Sequence, residues 1–283
     1  MTLHGELGAA GLRGELQFST REPDPGNTGG GMVKVPPGRK NPSTSLMEGF
    51  LLRKTQLRAI IFANGMLADL KTAQKIINPA DLIIAADGGA LHCLALGINP
   101  QVVIGDFDSL DEVTLTKLQT QGVKFMRHPT QKNETDLELA LQYANEQGSA
   151  EILVLGALGV DRWDMALGNL LLLAHPGLAQ TRVILIDSNQ EIFPLHPGQT
   201  LVIHGRPGDT VSLVPIQGDA SGITTQGLEY SLQDGTLHFG FTRGISNTLL
   251  GETASIHLKQ GFLICTIIHH SADIGSPGQP ATR

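Results

Sequence analysis

The chain is short of cysteine, of positive charge and of long apolar runs. Each shortage argues against a class of function. Cys93 and Cys265 are the only cysteines in 283 residues, far apart and without a C-x-x-C partner. That argues against a disulfide framework or a thiolate zinc site and fits free thiols in a reducing cytosol. No apolar run approaches the ~18–20 residues of a membrane helix, so no spanning helix is expected. Lys+Arg total 20 against 27 Asp+Glu, a net charge of −7. A chain this acidic suits neither nucleic acid nor any other extended phosphate backbone. An anionic substrate would need a local basic site or a metal, whereas a cationic one is favoured by the overall field. The fingerprints G-x-x-x-x-G-K-[ST] and G-x-G-x-x-G are both missing. The histidines show neither H-x-x-x-H nor H-E-x-x-H spacing, which argues against zinc.

What the chain does have is 41% hydrophobic residues, enough to bury a core. They are unevenly spread. Residues 1–49 hold 10 of the 34 glycines and 5 of the 15 prolines and show no helical or strand period, so they read as a disordered leader. Met47 is a candidate start, because the ordered pattern begins just after it. The tail 271–283 reads as disordered for the same reason.

Between these ends two rhythms follow each other. Residues 57–187 alternate apolar runs (LRAIIFA, DLIIAA, QVVI, EILVL) with helical spacing, as in Leu137, Ala140, Leu141 and Ala144. That predicts an α/β domain with a parallel sheet covered on both faces. Residues 188–270 show short alternating segments between turn signals such as Pro197-Gly198 and Asp234-Gly235. They predict a smaller antiparallel β-sandwich domain.

Ligands of open parallel sheets bind outside the carboxyl ends of the strands, and acidic residues gather there. Asp87 follows DLIIAA, Asp106 and Asp108 follow QVVI, and Asp136 opens the helix after Val123–Arg127. If Asp106-Phe107-Asp108 is extended, its two carboxylates point the same way, and a cation between them relieves their repulsion. Oxygen-only ligands favour Mg²⁺ shared with substrate phosphates. The alternative is a pair of capping boxes, Ser109-x-x-Glu112 and Thr135-x-x-Glu138, around solvated loops. Gly156 and Gly159 precede a helix, so backbone N–H groups and Arg162 could meet a phosphate there; an ordinary βα turn is the alternative. Arg243–Asn247 reads on its own as a hairpin loop.

Taken together these runs resemble the thiamine pyrophosphokinase family. The matching segments are Ala86–Ala90 (ADGGA), Gly105–Ser109 (GDFDS), Lys132–Asp136 (KNETD), Arg162-x-Asp164 with Asn169, and Arg243–Asn247 (RGISN). The resemblance implies an α/β nucleotide-binding domain followed by a β domain, and a homodimer, while the two cysteines make a cytoplasmic location the expectation. It implies transfer of pyrophosphate from ATP to the thiamine hydroxyl with Mg²⁺. By motif, Asp106, Asp108 and Asp136 would hold Mg²⁺ and the triphosphate, while Asp87, Gly88, Gly89, Thr135 and Asp164 would line the nucleotide cleft. Lys132 and Arg162 would contact phosphates. Ser246, Asn247 and Tyr230 would meet thiamine. The chain departs from the family's G-G-R-x-D-H run: Val160-Asp161 precedes Arg162, and Met165 stands where histidine is common. Other readings are pyrophosphoryl transfer to another alcohol such as a hydroxymethylpterin, an inactive thiamine-binding relative, and a Mg²⁺ phosphohydrolase.

Overall fold

The apolar runs form strands in the computed structural model, which describes residues 15–17, 57–67, 69–158 and 162–270. Six of them are parallel: β2 (Leu57–Phe62), β3 (Leu82–Ala86), β4 (Val102–Gly105), β5 (Lys124–Arg127), β6 (Ser149–Leu155) and β7 (Arg182–Asp187). The central ones are buried on both faces, which is why they read as unbroken apolar runs. Ile60 and Phe62 pack with α1 (Leu70–Ile76), α2 (Gly89–Ala95) and α3 (Glu112–Thr120) through Ala73, Ile76, Ala90, Cys93 and Leu118. Ala59 and Ile61 pack on the other side with Leu137, Ala140, Leu141 and Ala144 of α4 (Asp136–Glu146). Burying each large aliphatic chain contributes roughly 1.5–3 kcal/mol relative to exposure.

The helix starts differ from expectation in one case. Thr135 caps α4, its hydroxyl accepting from the Glu138 N–H at 3.2 Å. In α3 the cap is Asp111, accepting from the Thr114 N–H at 2.7 Å, and not Ser109.

The second rhythm builds two layers, and one of them continues the parallel sheet. β8 (Gln190–Leu195) folds back on β7 through a tight turn with Ser188 at φ +55°. β15 (Leu263–Ile268), β10 (Thr210–Pro215) and β13 (Asn247–Thr248) then add antiparallel. The result is a ten-stranded sheet, β13-β10-β15-β8-β7-β6-β2-β3-β4-β5. A second, antiparallel sheet has the order β1-β9-β14-β11-β12, from Glu15–Gln17, Thr200–His204, Thr253–His257, Ala220–Gln226 and Gly235–Leu237. The expected sandwich therefore shares a layer with the α/β part. β8 has no regular alternation and contains Pro194, which explains why its role is hard to see in the sequence. Pro194 lies beyond the residues of β8 that pair with β7, so no ladder bond to β7 is lost. Within the leader, only Glu15–Gln17 are described, and they form an edge strand pairing with β9. The other leader residues and the tail lie outside the described residues. Among the described residues no helix is long and apolar enough to cross a membrane.

One polar cluster ties this shared layer together. His269, just past β15, sits between Asp209 (Nδ1 to Oδ2, 3.0 Å) and Glu191 of β8 (Nε2 to Oε1, 3.1 Å). The bond to Glu191 raises the His269 pKa, burial opposes it, and the bond to Asp209 adds to the rise. Burial would raise the Asp209 pKa, but the N–H groups of His270 and Arg206, with His269, hold it below the usual carboxylate range. A histidine pKa raised on folding stabilises fully below its unfolded value, and that stability is lost as pH rises through the folded value. A carboxylate pKa lowered on folding works oppositely, its contribution fading as pH falls through the folded value. The melting-temperature gap between wild type and His269→Gln is therefore expected to be largest near about pH 6 and to shrink towards pH 9. A gap independent of pH would show that the charge on His269 contributes nothing.

Candidate active site

Three carboxylates converge at the carboxyl ends of β3 and β4. One oxygen each from Asp87, Asp106 and Asp136 lies within 4.8 Å of the others. Asp87 turns out of β3 at φ +46°, held by its N–H bond to the Ile104 carbonyl at 2.9 Å. Asp136 projects from the first turn of α4, set by the Thr135 cap. Gly105 makes room: a Cβ there would lie 3.0 Å from the Asp87 Cβ and 3.3 Å from Asp136 Oδ1. Gly88 and Gly89 are needed for a different closeness. A Cβ on them would fall 2.1 Å from Asn64 Oδ1 and 1.9 Å from the Phe62 carbonyl oxygen.

The cluster is electrostatically unbalanced. Asp87 is only 4% exposed, and its Oδ1 is buried without a hydrogen-bond partner. A hydrogen bond linked to Thr130 and the Asp108 N–H hold the Asp106 carboxyl below the usual range, so it stays ionised. Lys132 Nζ lies 2.5 Å from Asp136 Oδ1 and offsets one of the three charges. An unpaired, desolvated carboxylate oxygen is costly unless a cation meets it. The donor set, all carboxylate oxygen, fits Mg²⁺ with its remaining positions left to water and phosphate.

Asp108 is not in the converging set, contrary to expectation. Phe107 adopts φ +69° and buries its ring edge-on to Phe125, with centroids 5.2 Å apart. The segment is thus not extended, and strand alternation does not carry Asp108 to the same point as Asp106. Asp108 is exposed, and its N–H donates to Asp106 Oδ1 at 3.3 Å. Asp87, expected only to line the cleft, supplies the third carboxylate.

Arg162 and Asp164 are exposed and pair with each other at 2.6 Å, an interaction that raises the Arg162 pKa and lowers that of Asp164. They do not join the carboxylates. Val160-Asp161, where the run departs from the family's, lies outside the described residues. Asn169 is buried and donates from Nδ2 to the Ala157 carbonyl at 2.7 Å, tying the turn after β6 to α5 (Trp163–Leu171).

Apart from the carboxylates, a concavity of about 340 Å³ opens in the β layers. Tyr230, Arg243, Thr225, Leu232 and Asn247 are among its lining residues. Tyr230 exposes its ring. The Asn247 amide is already occupied: Oδ1 accepts from the Tyr230 N–H at 3.0 Å and Nδ2 donates to the Tyr230 carbonyl at 2.8 Å. Asn247 thus holds Tyr230 in place instead of presenting a free amide. Ser246, at φ +61°, is exposed beside the pocket, its N–H donating to Ser212 Oγ at 3.1 Å.

The two regions match two family models in this order. Residues 73–185 match the thiamin pyrophosphokinase catalytic domain and residues 199–263 its vitamin B1 binding domain. Thiamine pyrophosphokinase of Bacillus subtilis (strain 168) is 30% identical over 183 residues, covering 65% of this chain and 85% of the relative. The chain belongs to the thiamine pyrophosphokinase family. Thiamine pyrophosphokinase 1 of Oryza sativa subsp. japonica is 27% identical over 222 residues, covering 70% of this chain and 82% of the relative. Among solved structures, thiamine pyrophosphokinase from Bacillus subtilis superposes with a TM-score of 0.68 at 27% identity, covering 76% of this chain and all of that one. The enzyme from Geobacillus thermodenitrificans gives a TM-score of 0.68 at 26% identity, with 76% and 99% covered.

The family motifs point to the carboxylates but not to what supports them. Asn64 donates to Ser109 Oγ at 3.2 Å, and His92 Nε2 meets the Gly65 carbonyl at 2.7 Å. Arg127 reaches the Asp106 backbone. The Asn64-Gly65 pair at the end of β2 was a visible signal; an arginine ending a short strand was not.

Proposed function

We propose that this chain transfers a pyrophosphoryl group from ATP to the hydroxyl of thiamine, releasing AMP and thiamine diphosphate. The observation that carries the reading is the Asp87, Asp106 and Asp136 cluster with its unpartnered buried oxygen, in a chain that matches both family models. On this reading residues 57–187 take ATP and the cation, and residues 188–270 take thiamine. Asp87, Asp106 and Asp136 hold Mg²⁺, with Asp108 at the rim. When bound, Mg²⁺ would offset triphosphate charge and polarise phosphoryl oxygens. Lys132 would exchange Asp136 for a phosphate oxygen, and Arg162, now paired with Asp164, would swing to another. Tyr230, held by Asn247, offers an aromatic face to the pyrimidine, with Ser246 close by. Such a transfer rests on positioning and charge neutralisation, without a protein nucleophile. The acidic surface suits thiamine's fixed positive charge. We place the reaction in the cytoplasm, where Cys93 and Cys265, both free and buried, would stay reduced.

The same reading makes the protein a homodimer. Six strand positions separate β10, beside the pocket, from β3, beside the carboxylates. At about 4.8 Å per strand that is roughly 30 Å. Reacting atoms must come within about 3–3.5 Å, so a thiamine pocket in one copy would serve the carboxylates of another. Exposed apolar side chains suit such pairing: Trp163, Leu167 and Leu171 along α5, and Tyr230, Phe239 and Phe241 by the pocket.

The test is product identity. With thiamine, ATP and Mg²⁺ the expected nucleotide product is AMP, appearing with thiamine diphosphate in equal amounts and only when thiamine is present. ADP as the sole nucleotide product, or ATP consumption indifferent to thiamine, would overturn the assignment.

A further inference from the structure

Asp106 leaves β4 on a two-residue step whose backbone is not that of a strand. Phe107 is left-handed, and Asp108 is turned outwards. Three like charges meet at the end of this step, and their repulsion favours any conformation that swings Asp106 into solvent. Something must hold the loop against it. Gly105 is held by the ladder itself, its carbonyl accepting the His128 N–H at 2.9 Å. The step beyond has Thr130 on the Asp106 carboxyl, and its backbone is clamped from β5 by the side chain of Arg127.

Arg127 ends β5 and lies directly across from Gly105 in the parallel pairing. Its Nη1 donates to the Asp106 carbonyl oxygen at 2.7 Å. Its guanidinium carbon stands over the Phe107 ring, 4.7 Å from the centroid. The ring in turn is packed edge-on to Phe125, also on β5. A planar cation with several donors can make both contacts at once, which an ammonium does less well. Lys132 has its own bond to Asp136.

We propose that Arg127 is a positioning residue that fixes the Asp106 carboxylate for cation binding, by clamping the Asp106 carbonyl and the Phe107 ring from β5. It touches neither substrate nor cation; it acts through the backbone of Asp106. The inference rests on the cation role given above to Asp87, Asp106 and Asp136.

The experiment titrates Mn²⁺ alone into wild type, Asp106→Asn, Arg127→Ala and Arg127→Lys, following free Mn²⁺ by electron paramagnetic resonance. It also measures kcat and the KM for thiamine. Arg127→Ala is expected to weaken Mn²⁺ binding about tenfold and to lower kcat about tenfold, with the thiamine KM unchanged. Arg127→Lys, which keeps the charge and a donor but not the planar face, is expected to fall between. Arg127 is exposed on an edge strand, so melting temperatures within a few degrees of wild type are expected throughout. Wild-type Mn²⁺ affinity and kcat in Arg127→Ala would overturn the proposal. Wild type binding Mn²⁺ no better than Asp106→Asn would instead overturn the cation reading on which it rests.

Discussion

Replacing Asp106 or Asp136 with asparagine is expected to lower the rate of AMP formation about a hundredfold, a loss of roughly 3 kcal/mol in transition-state stabilisation. Each change removes one of three converging charges while keeping shape and size. Thiamine affinity should change far less than the rate, because these residues would meet the cation and the phosphates while the pocket residues meet the thiamine ring. The sharper comparison is with Asp108→Asn. The D-x-D spacing alone makes Asp106 and Asp108 equivalent, but Asp108 is exposed and outside the cluster. Its replacement is expected to cost less than tenfold. A second readout needs no turnover. Without metal, Asp87→Asn should raise the melting temperature, since it removes a buried charge with an unpartnered oxygen. Added Mg²⁺ should then stabilise wild type more than the variant. Near-normal turnover in both Asp106→Asn and Asp136→Asn at limiting Mg²⁺ would reduce the cluster to a set of solvated loop ends.

Two variants inactive alone should regain activity when mixed, if each site is built from two copies. Asp106→Asn disables the carboxylate end. Asn247→Ala disables the pocket end by removing both hydrogen bonds that hold the Tyr230 backbone. In a statistically mixed population half the dimers carry one copy of each, and one of their two sites has both intact ends. Activity should therefore recover to about a quarter of wild type after dissociation and remixing. The estimated separation of roughly 30 Å across the sheet within one chain is the reason for expecting recovery. No recovery, with exchange of copies shown independently, would mean that both ends act within one chain. An active monomer at assay concentration would say the same.

Much of the fold was legible because its causes are local. Unbroken apolar runs between helical stretches mark parallel strands buried on both faces, and the spacing of Leu137, Ala140, Leu141 and Ala144 marks the buried side of α4. The Thr135 cap was readable for the same reason, since a cap involves residues three apart. The union of the parallel sheet with one β layer was not. It depends on β8, whose pattern is irregular and whose partners on its two sides, Leu185–Asp187 and Leu263–Ile268, are near and far in sequence.

The candidate site divides in the same way. Sequence alone determined which strand ends carry carboxylates, where the glycines fall, and which family the motifs resemble, because each is a short run of residue types. Only the tertiary structure decided which carboxylates meet. The φ of Phe107 is set by burying its ring against Phe125, and that contact turns Asp108 away while Asp87 arrives from the neighbouring strand. The Arg127 clamp on Asp106 and the Asn247 clamp on Tyr230 were likewise settled by packing. Each joins residues 17 or more apart, and a contact across that separation is written in how the layers close, not in any local pattern.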